Sequence, residues 1–137
     1  MAETDEEARR QYEEHFWYFV KRLLPGIAIS PPGYTTVRSL ENVWKGASTF
    51  ALNLETWEQV VEGHYAIVGS PDTVFARLEE DLGRLGTGNL LGLFQLGTLP
   101  ADLTRRNLEL FAAEVLPRLR QRFPEGQPVL SPSAAVA

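Results

Sequence analysis

The stretch that decides the fold runs from Tyr65 to Arg120: YAIVGSPDTVFARLEEDLGRLGTGNLLGLFQLGTLPADLTRRNLELFAAEVLPRLR. It reads as a short apolar strand (65–68), a Gly69-Ser70-Pro71 turn, a helix, a Gly86/Gly88 turn, an apolar strand ending at Gly97, and a long closing helix. Parallel strands need a crossover and a helix supplies it, so this order belongs to the α/β class. Folds of that class gather their chemistry at the carboxyl ends of the strands. Those ends are Gly69 and Gln95-Leu96-Gly97. Two strands make neither a barrel nor a doubly wound sheet.

Within the stretch the junctions explain themselves locally. Ser70 can cap a helix, Pro71 suits its first position, where a missing N–H costs nothing, and Asp72 complements the helix dipole. Val74, Phe75, Leu78, Leu82 and Leu85 fall at core spacing. The same Gly69-Ser70 turn could bind a phosphate at the helix amino terminus, although capping alone accounts for its residues. Asn89 to Phe94 lacks polar alternation, which marks a strand covered on both faces, and Gly92 suggests close approach by a backbone or a flat ligand. Gln95 ends the apolar run where a barrel strand would surface at its rim; its bland role is to satisfy loop backbone. In the last helix Leu108, Phe111, Ala112, Val115 and Leu119 form the expected buried stripe, and Pro117 should kink it.

Outward from there, Thr4-Asp5-Glu6-Glu7 is a capping-box pattern that opens a helix carrying Tyr12, Phe16, Phe19, Val20 and Leu23 at helical spacing. The cluster His15 to Phe19 wraps aromatic surface around most of that helix, so more than one face needs cover, as core or interface in preference to a ligand cage. Residues 25–53 form a Pro/Gly-punctuated, lid-like connection with one helical turn expected over 39–43. In it Pro31-Pro32-Gly33 holds Tyr34 on a stiff support, as a rigid turn or as a substrate contact. Asn53 is the expected cap of a short helix in which Leu54, Trp57, Val60 and Val61 share a face and Gly63 is the stop. Residues 124–137 read as a flexible tail.

Composition narrows the function classes. The chain has 137 residues, room for one domain, with 44% hydrophobic and 23% charged residues and a net charge of −5. That acidity argues against nucleic acid or an anionic membrane surface as partner. With no cysteine there is no thiolate nucleophile or thiolate metal site, and His15 and His64, the only histidines, lack paired ligand spacing, so no metal is expected. Glu79-Glu80-Asp81 point in different directions on a helix and read as a solvated face. No Ser/His/Asp arrangement is recognisable. No run has the length or apolarity of a membrane span or signal peptide, and a cytoplasmic location is the expectation.

Three runs in order, Ala66 to Val74, Phe94 to Gly97 and Leu108 to Leu119, resemble the carboxyl-terminal third of the luciferase-like flavin-dependent monooxygenases. Pro-Pro-Gly-Tyr with Ser39-Leu40 is similar to the insertion that lies over the active site in that family. The likeness covers roughly residues 8 to 123. It implies that residues 1–123 are part of a (β/α)8 barrel domain: the lid-like insertion at 25–53, the seventh helix, the eighth strand and the eighth helix, helix-rich when isolated. It further implies FMN, or in some branches a deazaflavin, with O2 as oxidant of a small organic substrate. The residues carried over are Gly69, Ser70, Gln95 and Gly97 toward the cofactor and Tyr34 on the lid; catalytic residues are not assigned. A complete barrel needs about 250 residues, so the isolated chain is expected neither to hold flavin tightly nor to be catalytic alone, and its partner would be the missing barrel portion. The alternative is a non-catalytic relic that acts as a homodimeric interaction or scaffold protein through its apolar and aromatic helix faces. A small phosphate-ligand module at Gly69-Ser70 is the third option.

Overall fold

The computed structural model describes residues 1–24, Thr36, Arg38, Glu41 and 54–125. The chain is helix-rich. Helix α1 (Asp5–Tyr18) runs on through a π-helical turn (Phe19–Leu23); then come α2 (Trp57–Glu62), α3 (Pro71–Leu85), and α4 (Ala101–Leu110), which passes through a second π-helical turn (Phe111–Val115) into α5 (Leu116–Arg122).

The caps account for where the helices begin. The Thr4 hydroxyl accepts the Glu7 N–H at 3.2 Å. The other half of that capping box is absent, because the Glu7 carboxylate accepts from Gln11 instead. A reciprocal capping box opens α2, formed by Thr56 and Gln59. Asn53, the expected cap, lies outside the described residues, and the helix starts one turn later than its sequence suggests. Gly63 does end α2, and Gly86, at φ 62°, closes α3 in the left-handed conformation that glycine adopts without penalty. The kink expected at Pro117 takes the form of the π-helical turn just before it. Widening the turn moves the carbonyl one turn back away from the proline ring, which has no N–H to offer it.

The expected strands at 65–68 and 89–94 are the main correction. Among the described residues no strand forms. A strand is stabilised by a partner's ladder, and among the described residues no ladder forms beside either segment. The first is nevertheless two-faced. Ile67 packs into a cluster made by Val74 and Leu78 of α3 with Val115 and Leu119, while Ala66 and Val68 face the opposite cluster of Phe16, Val20, Trp57 and Val60. Val68 also touches a third cluster of Ala2, Ala8, Tyr12 and Leu99. The period-2 side-chain alternation of a strand survives without its hydrogen bonds.

The aromatic face of α1 finds its cover inside the chain. Phe16 makes edge contacts with Trp17 and with Trp57 of α2, at centroid distances of 5.5 and 5.9 Å. α3 lies against the second π-helical turn and α5. Arg118 fixes that packing by stacking over Phe75 at 4.0 Å and pairing with Asp72 at 2.7 Å.

Four residues break the predicted stripes. Leu85, at 71% exposure, Leu108, at 45%, Leu23, at 40%, and Ala112 face solvent, and Asn107 takes the buried position beside Leu108. The second predicted strand departs furthest: Leu91 is 97% exposed and Leu93 74%, while Phe94 turns inward onto Phe111.

Core and surface apolar residues therefore make opposite predictions. Val115 is fully buried, so Val115→Ala should cost about 2 kcal/mol through lost transfer energy and a residual cavity. Leu91→Ala should change stability by less than about 0.5 kcal/mol. Urea unfolding of the two variants beside the parent chain tests the assignment, and equal losses at the two positions would contradict it.

Candidate functional site

Gly69 and Ser70 sit at the amino end of α3, where three N-terminal N–H groups and the helix dipole favour an anion. The anion there is the chain's own. The Asp5 carboxylate accepts the Ser70 N–H at 2.6 Å through Oδ1 and the Thr73 hydroxyl at 2.9 Å through Oδ2. Ser70 Oγ in turn caps Thr73 N at 3.4 Å and donates to Thr73 Oγ1 at 3.1 Å. A Cβ on Gly69 would come within 2.7 Å of Asp5 Oδ1, so glycine is what lets the carboxylate approach. The Ser70 backbone donor, aided by the Thr73 and Ser70 hydroxyls and opposed by partial desolvation, holds Asp5 below the usual carboxylate range.

Gln95 and Gly97 lie beside the other end of α1. Gly97 takes φ 57°, and a Cβ there would meet the His15 carbonyl oxygen at 2.7 Å. The preceding Gln95 is exposed and turns its amide onto the Gly97 and Leu99 carbonyls, both at 3.4 Å, which is the loop-satisfying role weighed for it from sequence. Thr98 Oγ1 meets His15 Nδ1 at 2.9 Å. Thus Gly69 touches the first turn of α1 and Gly97 a turn ten residues on, a separation of about 15 Å along the axis at 1.5 Å per residue. One helix lines up both segments without joining them into a single cup. Gly92, expected to mark a close backbone approach, is approached by the Phe94 ring. Tyr34 lies outside the described residues, as does the rest of the lid-like segment apart from Thr36, Arg38 and Glu41.

The chain's amino end completes this region. The Met1 amino group donates to Asn107 Oδ1 at 2.9 Å, the Tyr12 hydroxyl donates to the Met1 carbonyl at 2.9 Å, and Ala2 N–H donates to the Gly69 carbonyl at 3.3 Å. Asn107 also donates to the Phe94 carbonyl at 3.4 Å. Burial lowers the amino group's pKa to about 5.

A second polar cluster was not anticipated. His64, at φ 56° immediately after the α2 stop, is the one non-glycine residue with positive φ among the described residues. Its Nδ1 lies 2.7 Å from Asp81 Oδ1 and its Nε2 2.8 Å from Arg77 Nη1. A guanidinium only donates, so Nε2 accepts from Arg77 and Nδ1–H donates to Asp81. The acidic run divides as helix geometry requires: Glu79 bonds Arg122, Glu80 faces Arg84 at 3.5 Å, and Asp81 holds His64. The available signal was the i, i+4 spacing of Arg77 and Asp81, which places both groups on one face of α3. Among the described residues, no group of three or more His, Asp or Glu side chains could hold a metal ion, and no helix is long and apolar enough to cross a membrane.

Two measurements follow. Asp5 contributes stability that is present above its unfolded pKa of 3.8 and lost as pH falls through its lower folded value. The Met1 amine acts in the other window: between about 5 and 8.0 the unfolded chain binds a proton that the folded chain does not, so stability should climb across it. A denaturant-midpoint profile from pH 2 to 9 should show both rises, and Asp5→Asn should reduce the acidic one and leave the other unchanged. At the second cluster, His64→Ala loses two hydrogen bonds and keeps the strained backbone. His64→Gly loses the same bonds but relieves the strain, and should be the more stable of the two by about 0.5–1 kcal/mol. The reverse ranking would contradict the left-handed assignment.

No protein-family model matches the chain, and comparison with curated proteins and with solved structures finds no match.

Proposed function

We propose that this chain is the carboxyl-terminal portion of a luciferase-like flavin-dependent monooxygenase barrel, competent in catalysis only together with the strands that precede it. The observation that carries this reading is the state of residues 89–96. They connect α3 to α4, and α3 packs against the second π-helical turn and α5, which continue α4. The segment between them is neither helix nor strand, with Phe94 inward on Phe111, Leu91 and Leu93 outward, and no strand beside it among the described residues. A helix, an apolar connecting segment and a second helix, in that order, are what a βα barrel would leave if its other strands were removed.

In this reading the activity is oxidation of a small organic substrate by O2 with reduced FMN or a deazaflavin. The flavin supplies the oxygen chemistry. This chain contributes the rim: Gly69 and Ser70 before the seventh helix, Gln95 and Gly97 after the eighth strand, and Tyr34 from the lid. For Gly69 and Ser70 to meet a cofactor phosphate, Asp5 must leave the amino end of α3, since two anions cannot share those donors. Gln95 would have to turn from the loop carbonyls it now satisfies.

A second reading, a non-catalytic interaction protein, draws support from the same exposed leucines. It places the contact on the 90–93 segment and not on the aromatic face of α1, which Trp57 and Val60 already cover.

Flavin titration separates the two. The purified chain alone should leave FMN fluorescence unquenched. Mixed with a polypeptide supplying the first two thirds of a luciferase-like barrel, it should bind FMN with about one site per complex. Failure of every such mixture to bind flavin would count against the barrel reading, and stoichiometric binding by the chain alone would overturn its dependence on the missing strands.

A further inference from the structure

Arg77, Asp81 and His64 join the turn after α2 to the middle of α3. Both imidazole nitrogens are occupied, one by a carboxylate and one by a guanidinium, at 2.7 and 2.8 Å. The side chains of His64 and Asp81 are only 22% and 26% exposed, so the cluster is partly shielded and still within reach of protons from solvent. Among the described residues His64 is the only polar partner of Arg77, whereas Arg118, Arg122, Arg106 and Arg9 are each matched to a carboxylate. The backbone at His64 stands in the left-handed region, which an L-residue occupies only when its surroundings hold it there.

We propose that these three residues form a proton-operated clasp. With His64 neutral, the ring donates from Nδ1 to Asp81 and accepts at Nε2 from Arg77, bridging the two. When Nε2 takes a proton it becomes a donor facing another donor, and the ring becomes a cation facing a cation. The Arg77 bond then opens, and the Asp81 bond becomes a charge-assisted one. The charged groups that meet the ring come from α3, namely Arg77 and Asp81; in its own turn Glu62 and Tyr65 adjoin it. Acidification thus frees one guanidinium on the α3 surface while the turn stays tethered through Asp81. The clasp is independent of the flavin reading, since none of its residues belongs to the proposed rim.

The test is nitrogen-detected NMR of the histidine rings and arginine side chains in the full chain across pH 4–9. At the alkaline end His64 should be the Nδ1–H tautomer. On acidification the Arg77 side-chain signals should shift and exchange faster in step with protonation of His64. Arg77→Gln, which removes the like charge but keeps a donor, should retain the Nδ1–H tautomer at the alkaline end. An Nε2–H tautomer at high pH, in the parent chain or in Arg77→Gln, or Arg77 signals that ignore His64 would each overturn the proposal. Should a variant fail to fold, the tautomer and the Arg77 response of the parent chain decide by themselves.

Discussion

The arrangement depends on three residues that bury both faces of one short connecting segment. Ala66 and Val68 look toward α1 and α2, and Ile67 looks toward α3 and the closing helix. Each side chain is only partly buried, but together they join clusters that would otherwise be separate, because Val68 also reaches the cluster around Tyr12 and Leu99. Hydrophobic burial is non-directional, so it alone would not fix which helix lies on which side. The directional groups do that. Asp5 ties the first turn of α1 to the amino end of α3, and Arg118 ties α5 to the same helix through Asp72 and Phe75.

Asp5 also links stability to the proposed function. The donors it satisfies are those a phosphate would use, so the chain by itself is held together by an internal anion at the proposed rim. A helix amino terminus has few donors and no room for two anions, and engagement of a cofactor there would loosen the contact between α1 and α3. The rim at Gln95 and Gly97 has the same character. Its polar groups are turned onto neighbouring backbone, and Gly97 is packed against the His15 carbonyl.

His64 is a different kind of feature. Its ring sits between a carboxylate and a guanidinium on one face of α3, and its backbone takes a conformation usually left to glycine or asparagine. Each of the three residues looks ordinary in the sequence: a histidine after a helix stop, an arginine and an aspartate in a charged helix. Only the reversal of the chain at Gly63 brings the first against the other two.

What the sequence determined by itself was local: Thr4 at the start of α1, Ser70-Pro71 at the start of α3, the stops at Gly63 and Gly86, and the disturbance before Pro117. Each depends on residues within one turn of it, where side-chain chemistry and backbone geometry act directly. The two apolar runs read as strands, and among the described residues neither is one, since a strand's hydrogen bonds belong to its neighbours. Tertiary structure decided the rest. It seated Asp5 at Gly69-Ser70, turned Gln95 onto loop carbonyls, buried Asn107 in place of Leu108 and assembled the His64 cluster. These contacts join residues far apart in the chain, and their identity follows from which surfaces the helices bury together.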